Sequence, residues 1–235
     1  MLEFVRVEVG EGSPPGCSRC APAVPATYHD LDRLAEDIAH AVRTPSGSVA
    51  QGLLLSGPDP FSHPALPAVV EACVSTGVPR IGIETAGTAL SVHGNAAGVL
   101  AAGVRHLFVR VLSGDAATHD GLVGRPGALS GALAGIATYR AAAVEADVPC
   151  VVTGVVPVCR HVRDALPLTV AALARAGVDA VRLVEGRDPG GQAAAAIAAA
   201  CDTGMVNRVW VEVSPALPLP ASHALHVLDP GVSDG

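Results

Sequence analysis

The sequence predicts an α/β protein built on a parallel sheet, and three observations support this class. Short runs rich in β-branched residues alternate with longer runs rich in Ala and Leu, six times along the chain. Several short runs are almost wholly apolar, as in strands that are covered on both faces. Gly77, Gly103 and Gly177 each follow a helical run and precede a strand, where helix-ending glycines occur. This alternation fits an open doubly wound sheet and a partial barrel equally well.

The elements follow one another in a regular order. Strands are expected at residues 3–9, 52–56, 80–84, 105–112, 150–156, 179–184 and 208–213. Helices are expected at residues 30–43, 64–76, 95–102, 128–145, 164–176 and 191–203. Asp30 can cap a helix that begins at Leu31, and Pro64 stands where a first helical turn tolerates proline. Residues 1–213 form the expected folded domain, and residues 214–235 form a Pro-rich C-terminal tail.

Composition narrows the class of function. Half of the 235 residues are hydrophobic but only 3% are aromatic, so the core must consist of Ala, Val and Leu. A net charge of −7 argues against nucleic acid as a partner. Charged residues among the first 20 do not suit a signal peptide, and no unbroken apolar run is long enough for a membrane span. We therefore expect a cytoplasmic protein with mostly reduced cysteines.

A pair of cysteines, Cys17 and Cys20, follows the first expected strand in a loop. This C-x-x-C spacing indicates a soft-metal or redox site, with half of a zinc site, a redox dithiol and two plain reduced thiols as the alternatives. A second C-x-x-C pair that would complete a zinc site is not evident. The other thiols at Cys73, Cys150 and Cys201 are expected to be small buried hydrophobes.

Polar residues follow several of the expected strands, and in both candidate architectures the carboxyl ends of the strands hold the active site. The second strand leads into Gly57-Pro58-Asp59-Pro60 and then His63-Pro64-Ala65-Leu66. The third ends in Glu84-Thr85-Ala86-Gly87, and the fourth leads to Ser113 and the pair His119-Asp120. The sixth ends at Glu185. His119 and Asp120 suit either acid–base chemistry or the architecture of a loop that enters a helix.

Together these pieces resemble the radical S-adenosylmethionine (SAM) superfamily, in particular the core domain of its peptide-modifying members. The cluster motif of that family is C-x-x-x-C-x-x-C, and this chain has Ser13 at the first cysteine position. Residues 57–60 resemble G-G-E-P followed by H-P-x-L, and residues 85–87 resemble T-N-G. Residues 111–129 resemble a family loop with S-L-D-G, then H-D, then G-x-x-G-x-[FL]. The resemblance extends over roughly residues 2–185.

The resemblance implies a partial (βα)6 TIM-like barrel, a [4Fe–4S] cluster and SAM as cofactors. It places the metal site at Cys17, Cys20 and the Ser13 position. It places the cofactor-binding residues at Gly57, Asp59, Pro60, Glu84, Thr85, Ser113 and Glu185. We expect Cys17, Cys20, Asp59, Glu84 and Ser113 to converge on one cavity at the carboxyl ends of the strands.

The departures from the family pattern lie at the ligand positions, where Ser13, Pro58 and Ala86 replace a cysteine, a glycine and an asparagine. They favour a protein with an eroded cluster and SAM site, acting as an accessory or binding subunit. Its partner would be an intact radical SAM enzyme, a peptide or a small molecule. A working radical SAM enzyme, with Ser13 or a distant cysteine such as Cys159 as third ligand, is one alternative. A zinc or dithiol barrel protein is another.

Overall fold

The computed structural model describes residues 4–12, 24–43, 49–92, 94–188, 190 and 192–218. In chain order its strands are β1 (Val5–Glu8), β2 (Gly10–Glu11), β3 (Thr27–Tyr28), β4 (Leu53–Ser56), β5 (Ile81–Thr85), β6 (His106–Arg110), β7 (Val151–Val158), β8 (Ala180–Glu185) and β9 (Trp210–Val213). Seven of them form one parallel sheet in the order β1-β4-β5-β6-β7-β8-β9, which is their order along the chain. The short strands β2 and β3 form a separate antiparallel pair.

A helical segment connects each strand of the sheet to the next. The α-helices in the described ranges are α1 (Leu31–Ala41), α2 (Leu66–Ser75), α3 (Asn95–Ala101), α4 (Ala116–Val123), α5 (Ala128–Glu145), α6 (Leu166–Ala176) and α7 (Ala193–Asn207). Short 3₁₀ turns occur at Pro60–Ser62, Thr88–Ser91 and Arg163–Ala165. The expected series of six βα units followed by a seventh strand is confirmed.

The residues expected to begin and end helices act largely as predicted. The side chain of Asp30 accepts a hydrogen bond from the amide of Arg33 and caps α1. Gly77, Gly103 and Gly177 adopt positive φ angles directly after α2, α3 and α6, a conformation that suits glycine at a helix end. These signals set the boundaries of the βα units.

Two helix predictions need correction. The helix expected to start at Pro64 begins at Leu66, because a 3₁₀ turn comes first and the proline in the first helical turn is Pro67. The segment 116–123, treated in the sequence as part of a loop, forms α4, capped by the side chain of Asp115. The β2–β3 pair was also missed, because strands of two residues carry no detectable alternation.

The sheet is strongly curled. Three strand spacings separate β1 from β6, which would place their backbones about 14 Å apart in a flat sheet. The ring of Phe4, next to β1, nevertheless meets the ring of Phe108 on β6 with centroids 5.4 Å apart and that of His106 at 5.1 Å. The face that carries these rings is therefore concave, as in a partial barrel. In the described residues β1 and β9 form the two edges of the sheet and do not pair.

The main core lies between the convex face of the sheet and the helices, and it consists mostly of Val, Leu, Ile and Ala. Tyr139 on α5 is its largest fully buried side chain, and its hydroxyl donates a hydrogen bond to the carbonyl of Val104. Leu217, beyond β9, is also buried in this core, so at least the first residues of the expected C-terminal tail pack against the domain. None of the described helices is long and apolar enough to cross a membrane.

Candidate functional site

Side chains alternate between the two faces of each strand, so each strand contributes residues to the concave face at every second position. Part of this face is apolar. The apolar cluster on it consists of Phe4, Leu54, Phe108, Val155 and Val184. A Cβ added at Gly52 would lie 2.7 Å from the ring of Phe4, and one at Gly82 would lie 3.2 Å from Phe108. Glycine at these positions leaves the space that the two rings fill.

Charged residues also lie on the concave face, and Glu84 on β5 contacts two of them. Its side chain is only 7% exposed, and each of its carboxylate oxygens contacts a different arginine. Arg6 on β1 reaches across β4 to Oε2 at 2.9 Å, and its own side chain is 52% exposed. Arg110 on β6, 17% exposed, contacts Oε1. This cluster connects the edge strand to the middle of the sheet.

A second ion pair lies further round the same face. Arg182 on β8 donates from Nε to Glu212 on β9 at 2.7 Å. The guanidinium of Arg182 also stands 5.5 Å from the centre of the Phe108 ring, a distance typical of cation–π contacts. The charged groups on this side of the concave face are thus paired with each other.

Asp59 follows β4, and its carboxylate is bonded within the protein. Oδ1 accepts from the amide of Phe61 at 3.1 Å, and Oδ2 accepts from the amide of Ala86 at 3.0 Å. The hydroxyl of Thr85 lies 2.9 Å from both oxygens, and it accepts in turn from the amide of Gly87. The loop after β4 is thereby tied to the end of β5.

The histidine of the His63-Pro64 segment has a positional role. Nδ1 of His63 accepts from the amide of Ala65, so Nε2 carries the proton and donates to the carbonyl of His29 at 2.9 Å. The ring of Tyr28 packs edge-on against His63, and its hydroxyl donates to the carbonyl of Asp59. These contacts fix the segment after β3 against the loop after β4.

The loop after β6 is organised by hydrogen bonds to its own backbone. The hydroxyl of Ser113 accepts from the amide of Asp115, and Thr169 on α6 accepts from the amide of Gly114. Nδ1 of His119, which is 3% exposed, accepts from the amide of Leu112 at 3.2 Å. Burial lowers the pKa of His119, so its neutral form is favoured.

Asp120 stabilises the start of α5. Its carboxylate accepts from the amides of Gly127 and Leu129, and these bonds, that from Leu129 foremost, lower its pKa. His119 and Asp120 were considered either for acid–base chemistry or for a structural role in a loop that enters a helix. The geometry favours the structural role, because each side chain is hydrogen-bonded to backbone amides that need a partner.

The sequence-predicted site residues do not all share one face. Glu84 lies on the concave face, whereas alternation places Thr85 and the exposed Glu185 on the opposite face of their strands. Gly57, with φ of +95°, closely approaches the backbone of Glu8 and Gly10, and Pro60 is buried in the turn that Asp59 caps. The structure brings Asp59 and Thr85 together. Ser13, Cys17 and Cys20 lie outside the described residues, so their expected convergence with Asp59, Glu84 and Ser113 stays a prediction.

The remaining four cysteines lie within the described residues. Cys73 and Cys201 are buried in the main core, and burial raises the pKa of the Cys73 thiol to about 12. Cys150 is half-buried, and Cys159 is buried against Leu112, Leu122 and Val162 after β7. No group of three or more His, Cys, Asp or Glu residues within the described part of the chain could hold a metal ion.

The arginines of the concave face were not singled out from the sequence. Arg6, Arg110 and Arg182 each interrupt an apolar strand, and each lies on the concave side by alternation. A charge within a strand that is otherwise buried needs a partner, and this was the signal that could have found them. Ser56, beside Glu84, was missed because a serine at a strand end has no distinctive pattern.

No protein-family model matches the sequence, and the search of curated proteins gave no match either. Solved structures do match. SuiB of Streptococcus suis bound to its precursor peptide SuiA is 8% identical, with a TM-score of 0.67 over 91% of this chain and 49% of SuiB. The radical SAM methyltransferase TsrM of Kitasatospora setae, with cobalamin and a [4Fe–4S] cluster bound, is 11% identical, with a TM-score of 0.53 over 83% of this chain and 40% of TsrM.

The chain has the fold of the radical SAM proteins. It spans about half the length of SuiB. A phosphonomutase-like protein of Burkholderia cenocepacia is also similar, at 18% identity and a TM-score of 0.54 over 81% of this chain and 80% of that protein. At such identities the comparisons establish the fold alone, and function has to be argued from the residues of this chain.

Proposed function

We propose that this protein is a radical-SAM-fold barrel with an altered cofactor site, acting as a binding or accessory protein for a peptide or a partner enzyme. The main support for the proposal is the set of hydrogen bonds that the Asp59 carboxylate accepts within the protein. Asp59 stands where the family resemblance places a contact with the SAM amino group, but its carboxylate is engaged by Phe61, Thr85 and Ala86. A ligand ammonium would have to compete with these donors.

The neighbouring residues support the same conclusion. Pro58 has no amide hydrogen to donate, and proline fixes φ in a loop where the family pattern has glycine. Ala86 lacks a side-chain amide, and its own N–H is directed to Asp59. The described residues of this loop therefore leave the Asp59 carboxylate about one unused acceptor position for the amino group of SAM. Ser13 adds a further mismatch in the sequence, because a hydroxyl is a poor substitute for a thiolate toward iron.

A peptide is the class of partner that a solved structure with the same fold supports. SuiB, which shares the fold, was crystallised with its precursor peptide. The chain keeps the barrel and its charged concave face while the residues at the cofactor position are altered. A barrel of this kind can hold or present a peptide without performing chemistry on it, either alone or beside an intact radical SAM enzyme.

Anaerobic reconstitution with iron and sulfide tests the proposal. The unmodified protein is expected to incorporate little iron, and Ser13→Cys is expected to raise the iron content because it restores three thiolates at the family spacing. Ser18→Cys is the matched control, since it adds a third thiol at the wrong spacing and should not raise the content.

Two results would replace the proposal. Full iron occupancy with reductive cleavage of SAM by the unmodified protein would favour the active radical SAM enzyme. Stoichiometric zinc in the purified protein would favour a zinc barrel, with Cys17 and Cys20 among the ligands.

A further inference from the structure

Two buried polar atoms on the concave face have no hydrogen-bond partner among the described residues. They are Oγ of Ser56, a residue with 0% exposure, and Nε of Arg110. Ser56 is the last residue of β4, and the register of β4 with β5 places it beside Glu84. Arg110 contacts the same Glu84 from β6. An unmade hydrogen bond at a buried site is costly, so two such atoms on the same face of neighbouring parts of the sheet need an explanation.

The charges around Glu84 point in the same direction. Within the described part of the face, Arg6 and Arg110 share the carboxylate of Glu84, which is 7% exposed, and Arg182 pairs with the partly buried Glu212. A third carboxylate, Glu8, lies across from Ser56 on β1 and is exposed, so its charge is screened by solvent. Of the two guanidinium groups that share Glu84, Arg110 is mostly shielded from water.

We propose that the concave face beside Glu84 binds a small oxyanion, a carboxylate or a phosphate group, held by Arg110 and Ser56. Guanidinium and hydroxyl groups are donors that suit anionic oxygens, and Nε of Arg110 remains available while Nη2 serves Glu84. Arg6 can also contact the ligand, because its side chain is half exposed and can move from Glu84 to a bound anion. The bound anion would lie beside the two guanidinium groups that share Glu84, and it would accept hydrogen bonds from both unpartnered atoms.

The proposal rests on the proposed binding function and specifies the chemistry that the barrel recognises. A carboxylate would come from an acidic side chain or the C-terminus of a peptide. A phosphate would indicate a phosphorylated small molecule. Both use the same donors, and direct binding measurements distinguish them.

Isothermal titration calorimetry on the full chain at fixed salt provides the test. The probes are a capped tripeptide with a central Glu, the same peptide with Gln, and inorganic phosphate. Binding of the Glu peptide identifies a carboxylate site, and binding of phosphate identifies a phosphate site. Absence of binding by both, or equal binding of the Gln and Glu peptides, overturns the proposal.

Variants locate the site. Ser56→Ala and Arg110→Lys are expected to weaken oxyanion binding about tenfold each, because each removes one donor to a charged group. Glu8→Gln is expected to strengthen it. Ser75→Ala, an exposed serine at the end of α2, is the matched control and should bind as the unmodified protein does.

Ser56→Ala separates ligand binding from folding. Since the hydroxyl has no hydrogen-bond partner among the described residues, its removal should leave the melting temperature unchanged or raise it, while binding falls. Wild-type affinity in both Ser56→Ala and Arg110→Lys would overturn the assignment. The result is independent of iron content, so failure here can be distinguished from failure of the proposed function.

Discussion

The hydroxyl of Thr85 lies 2.9 Å from each carboxylate oxygen of Asp59, and this contact joins the loop after β4 to the end of β5. Thr85 is almost fully buried, so removal of Asp59 would leave its hydroxyl without an acceptor. The amides of Phe61 and Ala86 would lose their acceptor as well. The pair is therefore expected to contribute to the stability of the whole strand-end region.

We expect Asp59→Ala to lower the free energy of unfolding by about 2–3 kcal/mol, because hydrogen bonds to a charged group are among the stronger ones. Asp59→Asn, which keeps one acceptor oxygen, should cost about 1 kcal/mol. Urea unfolding followed by circular dichroism measures both, with Glu36→Gln on the exposed side of α1 as the control. A loss below about 0.5 kcal/mol for Asp59→Ala would mean that the network is not structural.

The Arg6–Glu84–Arg110 cluster predicts strong coupling between its members. Glu84→Gln should lower the free energy of unfolding by about 3 kcal/mol, because it leaves the guanidinium of Arg110 buried without its counter-charge. Arg6→Gln should cost about 1 kcal/mol or less, since Arg6 is half exposed.

A double-mutant cycle checks this coupling. The variant Glu84→Gln/Arg110→Gln should be more stable than the sum of the two single losses predicts, by about 1 kcal/mol or more. Urea unfolding of the four proteins provides the values. Additive losses would show that Glu84 and Arg110 contribute separately, and the cluster would then not be a unit.

Two helical glycines form a matched pair for a packing prediction. A Cβ at Gly135 on α5 would overlap the carbonyl oxygen of Gly87, where the helix crosses the loop after β5. A Cβ at Gly121 on α4 would meet none of the described residues within 4 Å. Gly135→Ala is therefore expected to destabilise the protein by about 2 kcal/mol or more, and Gly121→Ala to stabilise it by about 0.5–1 kcal/mol.

Thermal unfolding of the two glycine variants gives the comparison directly. Opposite shifts in melting temperature are the expected result, because both changes raise helix propensity and they differ most in the space available. Equal stabilisation of both variants would show that α5 can move away from Gly87 at little cost.

The sequence predicted the parallel fold because its determinants are local. Apolar β-branched runs, the capping Asp30 and the stop glycines all act within a few residues of their position. The concave face could not be predicted in the same way. Arg6 meets Glu84 only because the sheet curls across β4, and nothing near either residue in the sequence encodes that curvature.

The candidate site was predictable only to the level of strand ends. The family pattern indicated both Glu84 and Thr85 as site residues, but successive side chains of a strand point to opposite faces of the sheet. Glu84 therefore enters the barrel while Thr85 serves Asp59 on the other side. Asp59 was expected to face a ligand, but its carboxylate accepts a hydrogen bond from the backbone N–H of Ala86. Every residue except proline has such an N–H, so the sequence could not indicate this contact.

Two buried histidines predict that the protein loses stability in mild acid. Burial lowers the pKa of His119 and also that of His106, where the nearby Arg80 adds to the effect. A folded-state pKa below the ordinary value of 6.5 means that the unfolded chain binds the proton more readily. Stability is thus fully present above about pH 6.5 and falls as the pH drops through and below it.

Urea unfolding at pH 7.5, 6.5 and 5.5 should show this loss of stability. His119→Asn should make the pH dependence of stability weaker, because asparagine can accept a hydrogen bond from the amide of Leu112 without titrating in this range. An unchanged dependence in His119→Asn would assign the acid sensitivity to other groups, His106 first among them.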